Sequence, residues 1–210
     1  MTEDATVSTL TDQTSLREII GAKMPLAIEK EMPRLDAHCR HFITLSPFLC
    51  LGTMGADGKA DVSPRGDPPG FVKVLDDRTI LIPDRPGNRR VDSMSNILSN
   101  PSVGLLFLVP GMEETLRLNG RASLTTDPAL LSDMAVDGKV PKLAIKVEIG
   151  EVFFHCGKAL KRSRLWDPAT RIDRKTFPSM GQLIHDQRKT GLSVEALEKF
   201  VEDNYRSELY

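Results

Sequence analysis

Three arginines cluster just ahead of an amphipathic segment between residues 82 and 101. The stretch reads IPDRPGNRRVDSMSNILSNP, so Arg85, Arg89 and Arg90 fall within six positions. Asn88 is a favoured N-cap residue, and apolar residues follow it at helical spacing until an Asn-Pro step. The pattern predicts a helix that begins after Asn88, with Arg89 and Arg90 in its first turn.

Cations in the first turn of a helix face the positive end of its dipole, which disfavours each of them by roughly 0.3–1 kcal/mol. An anion held by free backbone N–H groups and guanidinium groups would remove that penalty. The alternative is that the arginines are solvated beside Asp84 and Asp92. A second basic element, Arg65 next to Ser63, lies at the end of the predicted strand ADVSPRG. Because a strand end and a helix start can converge in a barrel, the two elements favour a phosphate site.

The composition sets limits on the partners of the chain. Its 28 Lys and Arg residues balance 29 Asp and Glu residues, which argues against a nucleic-acid-binding surface. No apolar stretch approaches the ~18 residues of a membrane span, and the first residues do not have the pattern of a signal peptide. The three cysteines are scattered without a Cys-x-x-Cys pair, so we expect reduced thiols and a cytoplasmic location.

Short strand-like runs joined by turn residues occupy the middle of the chain. FLCLGTM and ADVSPRG flank GADGK, where the glycines fit a hairpin turn better than a dinucleotide-binding loop because a strand follows. Six or seven such runs, joined mostly by tight turns, predict an antiparallel β-barrel with flanking helices. We predict one domain in three parts: a helical segment at 1–45 packed on the barrel, the barrel core at 46–168, and an extension with a helix at 169–210.

The order of three segments carries a family resemblance. GADGKADVSPRG, TILIPDRPGNRRVDSMSNILSNP and LRLNGRA together resemble the FMN-binding split-barrel superfamily, which includes the pyridoxamine 5'-phosphate oxidases. The resemblance covers roughly residues 45 to 168. It is closest to a branch of uncharacterised FMN-dependent proteins, in which HCGKALKRSRLWDP is also at home. It implies a mainly β fold, an antiparallel split β-barrel, and a homodimer with FMN at the subunit interface.

The resemblance also implies which residues hold the cofactor. A strand that ends in a basic residue contacts the FMN phosphate, and a turn of the Ser-Arg-Lys type at the end of another strand contacts it too; here Asn88 replaces the serine. A further strand reaches the flavin from the partner subunit. The implied cofactor-binding residues are Val62, Ser63, Arg65, Ile82, Pro83, Asn88, Arg89, Arg90 and, from the partner subunit, Thr115 and Arg117.

One departure from the family pattern concerns the substrate. The vitamin B6 oxidases carry Arg-Leu-His-Asp near the C-terminus, whereas this chain has Arg164-Leu165-Trp166-Asp167. Arg164 and Trp166 are therefore the candidate substrate residues, and pyridoxamine phosphate is not the expected substrate. We expect an FMN-dependent oxidoreductase that acts on another small organic molecule. The alternatives are a flavin-binding sensor or carrier without turnover, and a reductase on the same barrel that uses a deazaflavin or haem.

Two other groups of residues are weaker candidates. His38 and His41 share a helical face beside Cys39, but no third ligand follows at a suitable spacing, so we expect no metal. KALKRSR and RIDRKTF are basic, but aromatic residues make up only 5% of the chain, too few to stack many bases. We expect these segments to form a solvated surface, with no nucleic-acid or membrane partner. No residue stands out as a general acid or base.

Overall fold

The computed structural model of the chain describes residues 9–210, which divide into two units after Glu31. In the first unit helix α1 spans Gln13–Ile20, and helix α2, Pro25–Glu29, begins at a proline, which is favoured at the first position of a helix. Asp12 caps α1 by accepting a hydrogen bond from a backbone N–H at 2.9 Å. The predicted division of the chain into three parts of one domain, with residues 1–45 packed on the barrel, stays a prediction.

The second unit, residues 32–210, contains seven strands and six further α-helices. The strands are β1 (Phe48–Met54), β2 (Ala60–Gly66), β3 (Lys73–Val74), β4 (Thr79–Pro83), β5 (Ser102–Leu108), β6 (Thr115–Thr125) and β7 (Ala144–His155). The helices are α3 (Ala37–Leu45), α4 (Asp92–Ser99), α5 (Pro128–Leu131), α6 (Lys158–Ser163), α7 (Met180–Gln187) and α8 (Val194–Ser207).

All seven strands belong to one antiparallel sheet with the order β2-β1-β5-β6-β7-β4-β3. Strands β2 and β3 are its edges, and among the described residues neither pairs on its outer side, so the barrel is open at this point. The GADGK segment forms the predicted hairpin turn between β1 and β2. The predicted mainly β fold, with an antiparallel sheet and flanking helices, is confirmed.

The core lies between the inner face of the sheet and α3. Alternate residues of β1 and β5 are buried, as expected for strands with one face on a core. Asp36 caps α3 by accepting from the backbone N–H of Cys39 at 2.8 Å, and the helix buries Cys39 and Phe42 against the sheet. Burial raises the pKa of the Cys39 thiol to about 12. Cys39 is therefore a core residue, and no group of three His, Cys, Asp or Glu side chains that could hold a metal occurs within residues 9–210.

The C-terminal extension forms a helical hairpin of α7 and α8 that returns to the sheet. Ser179 caps α7, and its hydroxyl also contacts the Glu198 carboxylate on α8 at 2.5 Å. After α8 the chain reaches Tyr210, whose hydroxyl donates to Asp67, one residue beyond β2, at 2.6 Å. No helix within the described part of the chain is both long enough and apolar enough to cross a membrane.

A β-bulge bends the long β6–β7 pair, and one glycine permits it. Asn119 pairs with Glu151 and Gly120 with Ile149, so Gly150 is the extra residue on β7. A Cβ atom at position 120 would overlap the Glu148 backbone carbonyl, whereas one at position 150 would meet only the Asn119 carbonyl oxygen, at 3.7 Å.

We therefore expect Gly120→Ala to lower the free energy of unfolding by about 2 kcal/mol, because the bulge must shift to relieve the overlap. Gly150→Ala is the matched control in the same bulge and should leave the stability unchanged or slightly higher. Urea denaturation of both variants measures the difference. Equal stability of the two would show that the bulge does not depend on Gly120.

Candidate functional site

A cleft of about 740 Å³ lies where four segments of the second unit meet. Its walls are β2 at residues 61–65, the loop 84–91 with the first turn of α4, the segment 139–142, and the end of α8 with Tyr210. The volume is within the ~300–1,000 Å³ range of small-molecule sites. Six of the predicted cofactor-binding residues line it: Val62, Ser63, Arg65, Asn88, Arg89 and Arg90.

A chain of hydrogen bonds fixes the polar side chains of the β2 wall. Ser93 donates to the Asp61 carboxylate at 2.8 Å, and the Ser63 and Ser93 hydroxyl oxygens are 3.0 Å apart. Because a hydroxyl has a single hydrogen, Ser63 must donate to Ser93. Arg65 Nε donates in turn to Ser63 Oγ at 3.3 Å. These hydrogen bonds thus hold Arg65 and Ser63 in defined orientations on this wall.

The arginine loop differs from the sequence prediction in where its helix begins. Asn88 was predicted to be the N-cap, but α4 begins at Asp92, and Arg89 and Arg90 lie in the loop before it. The physical reason is that Arg89 and Val91 both adopt positive φ, 58° and 55°, which breaks the helical path. Asn88 instead accepts a hydrogen bond from the backbone N–H of Arg90, at 3.0 Å, and so stabilises the turn.

Helix α4 has an uncapped N-terminus that faces the cleft. The other described helices of eight or more residues, α1, α3, α7 and α8, each begin with an Asp or Ser side chain that accepts from a backbone N–H. Helix α4 has no such side-chain cap, and Asp92, Ser93 and Met94 of its first turn line the cleft. The first N–H groups of a helix have no partner within it, so they are available to an anion in the cleft.

Arg65 is held beside a half-buried carboxylate. Its Nη1 atom is 3.2 Å from Asp84 Oδ1, and 18% of the Arg65 side chain is exposed. Burial raises the pKa of Asp84, and the guanidinium of Arg65 offsets this only in part. The guanidinium has more N–H donors than its bonds to Asp84 and Ser63 use, so it can bind a further acceptor.

The three arginines of the loop have different roles. Arg85 is largely buried and pairs with Asp67 at 2.6 Å, so it joins the walls of the cleft to each other. Arg90 pairs with Asp92 of the first helical turn at 2.7 Å. Arg89 is 85% exposed, and its contact with Glu208 is long, at 3.7 Å. Arg89 is therefore the loop arginine that is least committed to a protein partner.

The remaining predicted site residues do not line the cleft. Ile82 and Pro83 are buried at the end of β4, and they position the loop that follows. Thr115 is buried on β6, and Arg117 pairs with Glu151 at 3.2 Å; their proposed contribution from a partner subunit stays a prediction. Two other predicted residues lie after α6: Arg164 pairs with Asp167, and Trp166 donates to a backbone oxygen of residue 112 at 2.7 Å.

The sequence did not reveal two of the four walls. Lys139 and Lys142 come from the connection between α5 and β7, and Glu208 and Tyr210 come from the far end of the chain. No motif marks these residues, because they reach the cleft only through the folding of distant segments. With them, six basic and four acidic side chains line the cleft, so its formal charge favours an anionic ligand.

A shallow hollow on the outer face of the sheet adjoins the cleft. It measures about 440 Å³, and glycines of three neighbouring strands form its floor: Gly52, Gly104 and Gly120. Asp61 and Val62 border both the hollow and the cleft. The outer face and the cleft are thus continuous along the edge strand β2.

Comparison with known proteins places the chain in a family. The family model for pyridoxamine 5'-phosphate oxidase matches residues 35–156, more than half of the chain. The chain therefore belongs to the pyridoxamine 5'-phosphate oxidase family, which confirms the predicted resemblance to FMN-binding split-barrel proteins and the predicted fold class. This is a family of flavin-binding proteins that includes oxidoreductases.

Several solved structures are similar to the chain in fold at low sequence identity. HupZ from Group A Streptococcus is 17% identical, with a TM-score of 0.47, over 57% of this chain and 93% of that one. An FMN-binding protein from Syntrophomonas wolfei is 11% identical, with a TM-score of 0.42, over 67% and 95%. General Stress Protein 26 from Bacillus anthracis is 16% identical, with a TM-score of 0.42, over 56% and 93%. None of the curated proteins matches the chain.

The left-handed conformation of Val91 yields a stability prediction. A left-handed backbone costs an L-residue roughly 1–2 kcal/mol, and glycine avoids this cost. We expect Val91→Gly to leave the free energy of unfolding unchanged or to raise it by up to about 1 kcal/mol, because the relief offsets the greater freedom of glycine in the unfolded chain.

Val140→Gly is the matched control. Val140 also lines the cleft and is equally exposed, at 51% against 52% for Val91, but its φ is not positive. The free energy of unfolding of this variant should fall by about 0.5–1 kcal/mol. Urea denaturation of the two variants compares them, and an equal loss in both would contradict the strained conformation of Val91.

Proposed function

We propose that the chain binds FMN in the cleft and uses it as an oxidoreductase on a small organic molecule other than pyridoxamine phosphate. The observation that carries the proposal is the uncapped N-terminus of α4, which opens onto a cleft with a basic excess beside Arg65 and Ser63. The N–H groups of the helix and the guanidinium of Arg65 provide backbone and side-chain donors for a phosphate dianion, and Ser63, whose own hydrogen is donated to Ser93, orients Arg65.

The residues present fit a phosphorylated flavin. Arg65 and Ser63 are held in place by their hydrogen bonds, and Arg89 is free to move toward an anion because its contact with Glu208 is long. The same cleft has apolar surface for the ring system, contributed by Val62, Pro64, Val91, Met94, Val140 and Pro141. A site with a few polar anchors and apolar walls is typical of a cofactor pocket.

The flavin would supply the two-electron redox chemistry, and the chain supplies position and electrostatics. The donors at α4 and β2 would fix the phosphate end, and the apolar residues would keep water from the ring. Trp166 stands where the vitamin B6 oxidases have a histidine, and its indole N–H is already bonded to a backbone oxygen. A substrate without a pyridoxamine headgroup follows from that replacement.

We also propose a homodimer that uses the outer face of the sheet, with small-molecule ligands as its other partners. Residues directly opposite each other in antiparallel strands lie on one face, so the strand register gives the rows of this face. One row is Pro64, Cys50, Leu106, Arg117 and Phe153, and the next is Val62, Gly52, Gly104, Asn119 and Glu151.

Exposed apolar side chains support an interface on this face. Val62 is 70% exposed, Met54 43% and Phe48 37%. Because the face meets the cleft along β2, a second copy seated on it would lie next to the flavin. Arg117 is on the same face, as its proposed contact with the partner's cofactor requires.

The arginines of the cleft yield a test of the phosphate site. Arg65→Ala and Arg89→Ala should each weaken FMN binding about tenfold or more, because a hydrogen bond to a charged group contributes about 1.5–3 kcal/mol. Both variants should bind riboflavin, which has no phosphate, nearly as well as the unmodified chain. Fluorescence titration with the two flavins measures these affinities.

Arg171→Ala is the control, since Arg171 is exposed and does not line the cleft. It should not change either affinity. Failure of the unmodified chain to bind FMN, with no two-banded flavin absorption after mixing, would refute the proposed function. Equal FMN binding by all variants would refute the phosphate site alone.

The outer face yields a test of the dimer. Met54→Glu should convert the dimer to a monomer of 23.2 kDa, because a charge would be buried in the interface. Leu98→Glu is the control: Leu98 is 77% exposed, but it lies on α4. Light scattering of the FMN-loaded protein gives the masses. A monomeric unmodified protein that retains FMN would contradict the dimer.

A further inference from the structure

The end of α8 and the residues that follow it form a wall of the cleft. Ser207, Glu208 and Tyr210 line it, and we call residues 207–210 the tail wall. Among the described residues, Tyr210 is the one aromatic side chain that lines the cleft. The apolar residues that line the rest of the cleft are valines, prolines and a methionine, which have no flat aromatic face. Tyr210 therefore differs from the rest of the apolar surface.

Tyr210 is anchored on a buried ion pair. Its hydroxyl donates to Asp67 Oδ1 at 2.6 Å, and the other carboxylate oxygen of Asp67 accepts from Arg85 Nε at 2.6 Å. The Asp67 side chain is 1% exposed. Arg85 is held at its far end too, because Nη2 donates to the backbone oxygen of Met134 at 2.9 Å.

Two further contacts orient the ring. The guanidinium carbon of Arg85 lies 5.7 Å from the ring centroid, so one face of the ring is next to a cation. The main-chain oxygen of Tyr210 accepts from Lys139 Nζ at 2.7 Å. The hydroxyl, the ring face and the main chain are thus each fixed by a different residue.

These contacts limit what Tyr210 can offer to a ligand. An ionised carboxylate only accepts hydrogen bonds, so the phenol hydrogen is committed to Asp67 and is not available to a phosphate. Arg85 lies over one face, which leaves the ring edge and the opposite face. Tyr210 can therefore contact the planar or apolar part of a ligand, whereas Arg65 and the start of α4 contact its anionic part.

We propose that Tyr210 is a specificity-determining residue that contacts the flat ring system of the flavin, and that Asp67 is the residue that positions it. This inference rests on the proposed function, since it takes the ligand of the cleft to be a flavin. It assigns a role to the C-terminal extension: α7 and α8 bring an aromatic ring to a cleft whose other lining residues, in the described part of the chain, are not aromatic.

Titration of matched variants with FMN and with riboflavin distinguishes contacts to the ring system from contacts to the phosphate. Tyr210→Ala should weaken FMN and riboflavin alike, each by about tenfold, because the ring system is common to both. Arg65→Ala should weaken FMN alone. Tyr210→Phe retains the ring, so its affinity for each flavin should fall only a few-fold. Tyr205→Ala is the control, because Tyr205 is 62% exposed on α8 and does not line the cleft.

A measurement on the flavin-free protein tests the anchor. The chain has two tyrosines, so Tyr205→Phe leaves Tyr210 as the only one. The hydrogen bond to Asp67 raises the pKa of Tyr210, which means that the anchor is present at neutral pH and is lost as the pH rises through the folded-state pKa. Tyrosinate absorption in this background should titrate above the ordinary value of about 10. Adding Asp67→Asn should lower the pKa of Tyr210 toward its ordinary value. In a separate titration the same substitution should weaken the binding of both FMN and riboflavin.

Each result has a definite meaning. If the unmodified chain binds both flavins and Tyr210→Ala binds them equally well, the inference is wrong and the proposed function stands. If Tyr210→Ala loses FMN but not riboflavin, Tyr210 acts at the phosphate end and the inference is also wrong. If the unmodified chain binds neither flavin, the proposed function fails and the inference fails with it.

Discussion

One buried carboxylate, that of Asp67, connects the walls of the cleft. Asp67 follows β2 directly, and its two oxygens accept from Arg85 in the loop after β4 and from Tyr210 beyond α8. Arg85 also donates to the backbone of Met134, which precedes the basic segment 139–142. An ionised carboxylate without partners is costly to bury, so the side chain is stable there only when these segments meet around it. The contacts of Asp67 therefore join the end of β2, the loop after β4 and the end of the chain at one point beside the cleft.

This arrangement separates the cations that build the cleft from those that remain for a ligand. Arg85 is used in assembly, because losing one partner of a buried pair leaves the other charge uncompensated, at a cost of about 3–5 kcal/mol. Arg65 is held by Ser63 and Asp84 but keeps unused donors. Arg89 is almost fully exposed. The more buried arginines thus hold the walls of the cleft together, and the most exposed one, Arg89, extends into the open cleft.

The loop before α4 combines a strained backbone with an uncapped helix N-terminus. A helix that began at Asn88 would have satisfied its own N-terminus, as the Asp and Ser caps of the other long helices do. Positive φ angles at Arg89 and Val91 delay the helix to Asp92 and leave its first N–H groups open to the cleft. Strained backbone of this kind is found where surrounding structure maintains it, often at functional sites. Our proposal that this helix end binds the phosphate of a flavin is consistent with the family to which the chain belongs.

The amino-acid sequence was sufficient to predict the strands and two of the four walls of the candidate cleft. Short strand-like runs joined by tight turns, among them the hairpin turn at GADGK, predicted the antiparallel sheet, because parallel strands would need long crossover connections. Arg65 of β2 and the arginines of the loop 84–91 were predicted for a different reason, because they form local clusters in the sequence. Only the tertiary structure showed that α4 begins at Asp92, that Arg85 is paired internally, and that Tyr210 completes the cleft. Those features depend on backbone angles and on contacts such as that of Asp67 with Tyr210, between residues 143 positions apart, which local residue patterns do not encode.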